Sequence, residues 1–227
     1  MRSALIATFY DHFLLRAEHR FLGGWRDETL AHACGCCVEI GAGTGLNLPR
    51  YPAAVQHLIV SEPDAAMRRE LGKKIHGAPL SPRLVDWPAE RLVLPDASVD
   101  TVVSTLVLCS VTDLRRSLEE IHRVLRPGGQ LLFIEHITAA EEQTCRWQRR
   151  LEPLWCLCSG GCRLTRATDQ AMLAAGFAID WKTEEKMPGV PAILARSIRG
   201  RATKQPLTSA PPYTPVPKQI RPARRQA

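Results

Sequence analysis

The chain reads as an α/β protein: a doubly wound, mostly parallel sheet of seven strands, helices on both faces, and a helical cap at the N-terminus. Three observations predict it. Short apolar runs rich in Val, Ile and Leu alternate with stretches of helical periodicity, which is the pattern of βαβ units. The first such run, CCVEI, passes directly into a loop with glycine at every second position, Gly41, Gly43 and Gly45. In the middle of the chain a helical pattern stops at Pro127-Gly128-Gly129 and a strand pattern, QLLFIEH, follows at once. In sheets of this kind ligands bind beyond the carboxyl ends of the strands, where the strand order reverses.

Each element follows from its own residues. Residues 3–33 read as helical, with Leu5, Ile6, Phe9, Phe13, Leu14 and Phe21 spaced for one apolar face and few breakers before Gly23-Gly24. After CCVEI and the glycine loop, Pro49 and Pro52 allow only a short helical stretch beyond Leu46. HLIVSE is the second strand. PDAAMRRELGKKI is a helix with Pro63 at its start, and PRLVD a weaker third strand. SVDTVVSTLVLCSV is the most β-rich segment, centred on Thr101–Ser104. In DLRRSLEEIHRVLRPGG the residues Leu114, Leu118, Ile121 and Leu125 recur at steps of three and four, an amphipathic helix. ATDQAMLAAGF is a helix ended by Gly176, and AIDWKTE and AILARSI are the closing strands. Three regions result: a cap over 1–35, the α/β domain over 36–204, and a proline-rich tail over 205–227 whose composition predicts disorder.

Composition narrows the classes. The 227 residues are 45% hydrophobic, enough for one α/β domain with a sizeable core. The longest apolar runs fall well short of the roughly 18 residues that cross a bilayer. Polar residues are threaded through the first 21 positions, unlike a signal peptide, so a cytoplasmic location is expected. The net charge of +7 suggests a nucleic-acid binder until its position is considered. Nine Lys and Arg and no acid follow Glu185, which leaves residues 1–185 slightly acidic. No specific nucleic-acid face is therefore expected; the tail suits only weak contact with a membrane surface or another polyanion. The eight cysteines include the groups C-x-C-C (Cys34, Cys36, Cys37) and C-x-C-x₃-C (Cys156, Cys158, Cys162). Neither has the paired-knuckle spacing of structural zinc sites. Reduced thiols, with no metal, are expected, and Cys162 reads as a packing residue.

The glycine loop carries the chemistry. It has G-x-G-x-G rather than the dinucleotide G-x-G-x-x-G, and no Gly-Lys-Ser/Thr follows to cradle a phosphate. Glu39, two residues before Gly41, would repel a pyrophosphate but suits a cationic ligand. A nicotinamide oxidoreductase is disfavoured on that spacing.

VEIGAGTG resembles the first motif of class I S-adenosylmethionine-dependent methyltransferases. VSEPDAAM, PAERLVLPDASVDTVVS and EEIHRVLRPGGQLLFIEH agree with the later motifs in order, so the match runs from about residue 36 to 204. The resemblance implies a Rossmann-like fold, S-adenosylmethionine as cofactor and methyl transfer as the activity. It implies that Glu62, at the end of the second strand and preceding Pro63, accepts from both ribose hydroxyls. Glu62 lies 17 residues beyond Gly45, near the roughly 20 usual for a ribose acid. By the same resemblance Glu39 orients the cofactor's ammonium through the loop of Gly41, Gly43 and Gly45. Met67 packs on the adenine, Ala89 and Glu90 meet its edge, and Leu106 lines the floor. Pro88 stands where related sequences often carry an acid for the adenine amine.

Within the superfamily, TLVLCSV, GGCRLTR and SIRGRATK resemble the alkyl-thiol S-methyltransferase branch and its bacterial relatives, which implies a small, apolar methyl acceptor. The mammalian members carry an N-terminal hydrophobic anchor that this sequence lacks. The opening FYDHFLL is similar to bacterial phospholipid and quinone methyltransferases, an alternative acceptor class. A non-catalytic protein that keeps the fold is a further alternative. A thiol attacks as thiolate, so a base near the fifth strand is of interest. Glu135 and His136 are the candidates; the other reading is that Glu135 binds backbone amides and His136 caps a loop. Arg166 is a candidate for an anionic group of the acceptor or for a buried carboxylate. Tyr10 and Trp155 are candidate pocket walls. Oligomeric state is not set by the sequence.

Overall fold

The computed structural model describes residues 17–205. The first half of the cap, Tyr10 included, and the tail after Gln205 lie outside the described residues.

A π-helical turn at Glu18–Leu22 runs into α1 (Gly23–Leu30) without a break at Gly23-Gly24. Gly23 is required there: a Cβ would stand 2.8 Å from the Glu18 carbonyl. The α/β domain follows as β1 (Gly35–Ile40), β2 (Val55–Ser61), α2 (Ala65–Ile75), β3 (Arg83–Val85), β4 (Val99–Thr105) and α3 (Leu114–Val124). It continues through β5 (Leu125–His136), α4 (Glu142–Cys158), α5 (Thr168–Ala174), β6 (Phe177–Lys186), the turn α6 (Ala192–Ala195) and β7 (Arg196–Lys204). Asp64 and Asp113 cap α2 and α3, each accepting from first-turn amides.

The seven strands form one sheet in the order β3-β2-β1-β4-β5-β7-β6. The first five are parallel, and β7 is antiparallel to both β5 and β6. Successive residues of a strand face opposite sides, and the sequence fills both. Val38, Val102 and Leu131 face a core built with Leu118 and Ile121 of α3 and Met172 of α5. Their neighbours Cys37, Val103 and Leu132 face a second core with Leu30 of α1 and Leu71 of α2. The strand order reverses between β1 and β4, so the switch point falls beside the glycine loop.

Two elements differ from the sequence expectation. AILA is a helical turn, and the closing strand begins at Arg196. The 17-residue helix α4 was not marked by periodicity: it covers only Gln148 fully and carries Pro153 inside, so no apolar stripe repeats along it. The charge is also distributed differently from the reading of a basic chain end. Arg196, Arg199 and Arg201 on β7 pair with Glu184, Glu28 and Asp180 at 2.7, 2.7 and 2.9 Å. Among the described residues no helix is long and apolar enough to cross a membrane.

Candidate active site

The carboxyl ends of β1 and β2 build one half of the site. Glu39, 3% exposed, accepts from Asn47 Nδ2 at 2.9 Å and from the Tyr51 hydroxyl at 2.7 Å. Asn47 also donates to Thr105 Oγ1 at 3.1 Å and accepts from Arg26 at 2.7 Å; Arg26 in turn pairs with Glu18 at 3.1 Å. The cap is thereby tied to the acid before the loop. Burial pushes the Glu39 carboxyl up to about 7; the Tyr51 and Asn47 hydrogen bonds and nearby Arg26 pull it down, and the charge of Glu62 adds to the rise.

Gly41, Gly43 and Gly45 have φ of +56°, +58° and +83°, the left-handed region. A Cβ on Gly41 would stand 2.7 Å from the Val107 side chain, so the loop lies directly against the turn after β4. Gly41→Ala should cost about 2 kcal/mol through strained φ and that collision. Urea unfolding checks this, and a loss below about 0.5 kcal/mol would contradict it. Glu62 sits under the loop: Oε2 accepts from the Gly43 amide and Oε1 from the Asp64 amide, both at 2.8 Å. Its pKa is raised by burial, partly offset by those two amides.

Pro63 and Met67 follow β2, the first exposed and the second half-buried. Ala89 is buried in the core after β3. The Glu90 carboxylate accepts from the Thr112 and Asp113 amides at 2.8 and 3.1 Å, and its carbonyl accepts from Arg116 at 3.3 Å. Leu106, just past β4, holds a φ of +58° without being glycine, and its amide donates to Ile134 at 2.7 Å. Strain of this kind concentrates at ligand sites.

The ends of β4 and β5 build the other half. Glu135, fully buried, accepts from Ser104 Oγ at 2.6 Å and from the amides of Val107, Leu108 and Cys109 at 3.1, 3.0 and 3.1 Å. Three of these donors meet Oε1 and one meets Oε2. These contacts make Glu135 the anchor of the turn after β4. Arg166 donates to the carbonyls of Leu108 and Val111 and so clamps the same turn. His136 is buried, and Cys162 Sγ lies 3.7 Å from each of its ring nitrogens. The ligand atoms of Cys109, His136 and Cys162 all fall within 4.8 Å of one another. The Cys162 thiol is held below the usual range by Cys109, then by His136 and the Trp155 indole, while the Cys109 thiol is pushed up by Cys162 and by burial. The Trp155 N–H is buried and has no other partner.

A methyltransferase-domain family model matches residues 38–133, from β1 into β5. Rat thiol S-methyltransferase TMT1B is 34% identical over 171 residues, covering 71% of this chain and 70% of the rat protein. The chain belongs to this methyltransferase family. Human thiol S-methyltransferase TMT1A is 41% identical over 146 residues, 62% of this chain and 59% of that protein. Among solved structures, an S-adenosylmethionine-dependent methyltransferase from Thermotoga maritima has a TM-score of 0.65 at 22% identity, covering 90% of this chain and 99% of its own. The [4+2]-cyclase SpnF has a TM-score of 0.62 at 18% identity, covering 81% and 80%. The fold alone therefore does not fix the reaction; membership of the family does.

The enzyme is an S-adenosylmethionine-dependent methyltransferase, and its residues fit that cofactor. Glu62 has two acceptor directions left after Gly43 and Asp64, and an acid, not a cation, stands behind the glycine loop. Sequence reasoning missed Arg26, Asn47 and Cys109. Only Asn47, in GLNLP beside the loop, had a position to suggest it; the other two are brought in by the tertiary fold.

Proposed function

We propose that this methyltransferase transfers the methyl group to the sulfur of a small apolar thiol. The observation that carries the cofactor half is the Glu62 carboxylate bonded to the Gly43 amide at 2.8 Å beneath three left-handed glycines. The thiol acceptor is supported by the thiol S-methyltransferases among the relatives. In this reading Glu62 accepts from the ribose hydroxyls and Glu39 faces the ammonium across the loop. Met67 packs on the adenine, Ala89 and Glu90 meet its edge, Leu106 forms the floor, and Pro63 sets the start of α2. When bound, the cofactor supplies a methyl group already activated on a sulfonium. The chain's contribution is then to hold an acceptor sulfur in line with it and exclude water. Trp155 and His136 wall the acceptor side at the ends of β4 and β5.

Turnover with equimolar short alkanethiol, the matching amine and alcohol, and demethylmenaquinone in competition tests the reading. Methylation of the thiol in preference to all others is expected. Preference for the quinone would replace the thiol with a quinone acceptor, as in the demethylmenaquinone methyltransferase of Deinococcus radiodurans, which is 34% identical over 118 residues.

Glu39 makes cofactor affinity depend on pH. A cationic ammonium favours its ionised form, and the folded protein without ligand holds the proton below about pH 7. Binding at pH 6 must therefore release a proton, and affinity should fall towards tenfold per unit as the pH drops below 7. Calorimetry in two buffers of different ionisation enthalpy checks this; equal heats at pH 6 would contradict it.

A further inference from the structure

We propose that Cys109, His136 and Cys162 form a three-ligand site for a soft divalent cation, zinc above all, with a fourth position open to the acceptor's sulfur. Three segments far apart in sequence converge: the turn after β4, the last residue of β5, and the connection between α4 and α5. Zinc bonds sulfur at about 2.3 Å and nitrogen at about 2.0 Å, which puts tetrahedral ligands roughly 3.5–3.8 Å apart. Cys162 Sγ is already 3.7 Å from the His136 nitrogens, and no pair of ligand atoms exceeds 4.8 Å. Gathering the three onto one ion closes their separations by about 1 Å and turns the imidazole so that one of its two nitrogens faces the ion.

The chemistry of the set points the same way. Two sulfurs and an imidazole select zinc or another borderline-soft ion over magnesium or calcium. Three protein ligands rather than four is the composition of zinc sites that keep a place for substrate. The ligands are also held from behind, as metal ligands require. Glu135 takes the Cys109 amide at 3.1 Å, and the Arg163 amide donates to the Cys109 carbonyl at 2.8 Å, pinning the residue after Cys162 beside Cys109. The His136 backbone is held in the sheet by its pairing with Ser197 on β7. Cys109 and His136 are buried and Cys162 half-buried, so ion and acceptor enter past Cys162.

The position suits the proposed reaction, on which the role of the fourth position rests. Neighbouring strands are about 4.8 Å apart, which puts the end of β5 about 10 Å from the end of β1, on the acceptor side of a cofactor held at β1 and β2. The acceptor thiol loses its proton to water as its sulfur ligates the cation. That sulfur's electron pair forms the new S–CH₃ bond, and the pair from the broken C–S bond stays on the sulfur of S-adenosylhomocysteine. Nothing is oxidised or reduced.

Cobalt(II) titration of the full chain, reduced and stripped of metal under anaerobic conditions, tests the site without reference to turnover. One equivalent should bind with sulfur-to-cobalt charge-transfer absorption and the strong visible bands of tetrahedral cobalt, and zinc should displace it. Cys162→Ser and His136→Asn should each weaken binding by at least the roughly hundredfold that even outer-sphere partners are worth. S-Adenosylmethionine binding to the variants reports that they are folded. A short alkanethiol should shift the visible bands. Absence of charge-transfer absorption in the wild type overturns the site, and so does its full survival in folded Cys162→Ser, which would assign the cobalt to other cysteines. Bands that ignore the alkanethiol overturn the open fourth position. Metal bound as described without any thiol methylation would instead refute the thiol reading and leave the metal site standing.

Discussion

Replacing Glu62 with alanine should weaken S-adenosylmethionine binding about a hundredfold. The carboxylate has two acceptor directions filled by the Gly43 and Asp64 amides at 2.8 Å and two left for the ribose hydroxyls. A hydrogen bond to a charged group is worth about 1.5–3 kcal/mol, so losing two ribose contacts costs about 3 kcal/mol or more, and 1.4 kcal/mol is tenfold. The same change frees the Gly43 amide and loosens the loop, which adds to the loss. Glu62→Gln keeps one acceptor oxygen and should lose about tenfold. Calorimetry with S-adenosylhomocysteine on wild type and both variants measures the series. Alanine within threefold of wild type would remove Glu62 from the ribose site.

The largest stability loss should come from Glu135→Ala, about 4 kcal/mol. Truncation leaves Ser104 Oγ and the amides of Val107, Leu108 and Cys109 without their acceptor in a fully buried place. Stranded buried donors cost about 1–3 kcal/mol each before relaxation, and breaking a buried charged network costs about 3–5 kcal/mol. Glu135→Gln retains one acceptor and should lose about half as much. Urea unfolding gives the magnitudes. Turnover separates the two roles of Glu135: as a positioning residue, Glu135→Gln keeps the shape of the pH–rate profile while losing stability. A glutamine variant of full stability whose basic limb disappears would make Glu135 a base after all.

The two variants also show what the sequence could and could not convey. Glu39, the three glycines and Glu62 lie between the start of β1 and the residue just past β2, so the resemblance picked them out together, and in the structure Glu62 meets the Gly43 amide. The strands were legible because Val, Ile and Leu fill both faces of the sheet. Helix α4 was not, because it buries one glutamine and no apolar stripe. At the β5 end the residue types were legible and their roles were not. Glu135 and His136 are neighbours in sequence, but a strand sends them to opposite faces, one towards three amides and the other towards two cysteines. Cys109 and Cys162 stand 53 positions apart and meet only because Glu135, Arg163 and Arg166 fold the turn after β4 against the segment before α5.

The measurement to make is product analysis with methyl-labelled S-adenosylmethionine and a short alkanethiol. Labelled S-methyl thioether should appear in equal amount with S-adenosylhomocysteine, and both should fall together about tenfold in Glu62→Ala at a cofactor concentration about ten times the wild-type Kd. Tight cofactor binding with no labelled thioether, or label carried on nitrogen or oxygen of a competing acceptor, would contradict a thiol methyltransferase.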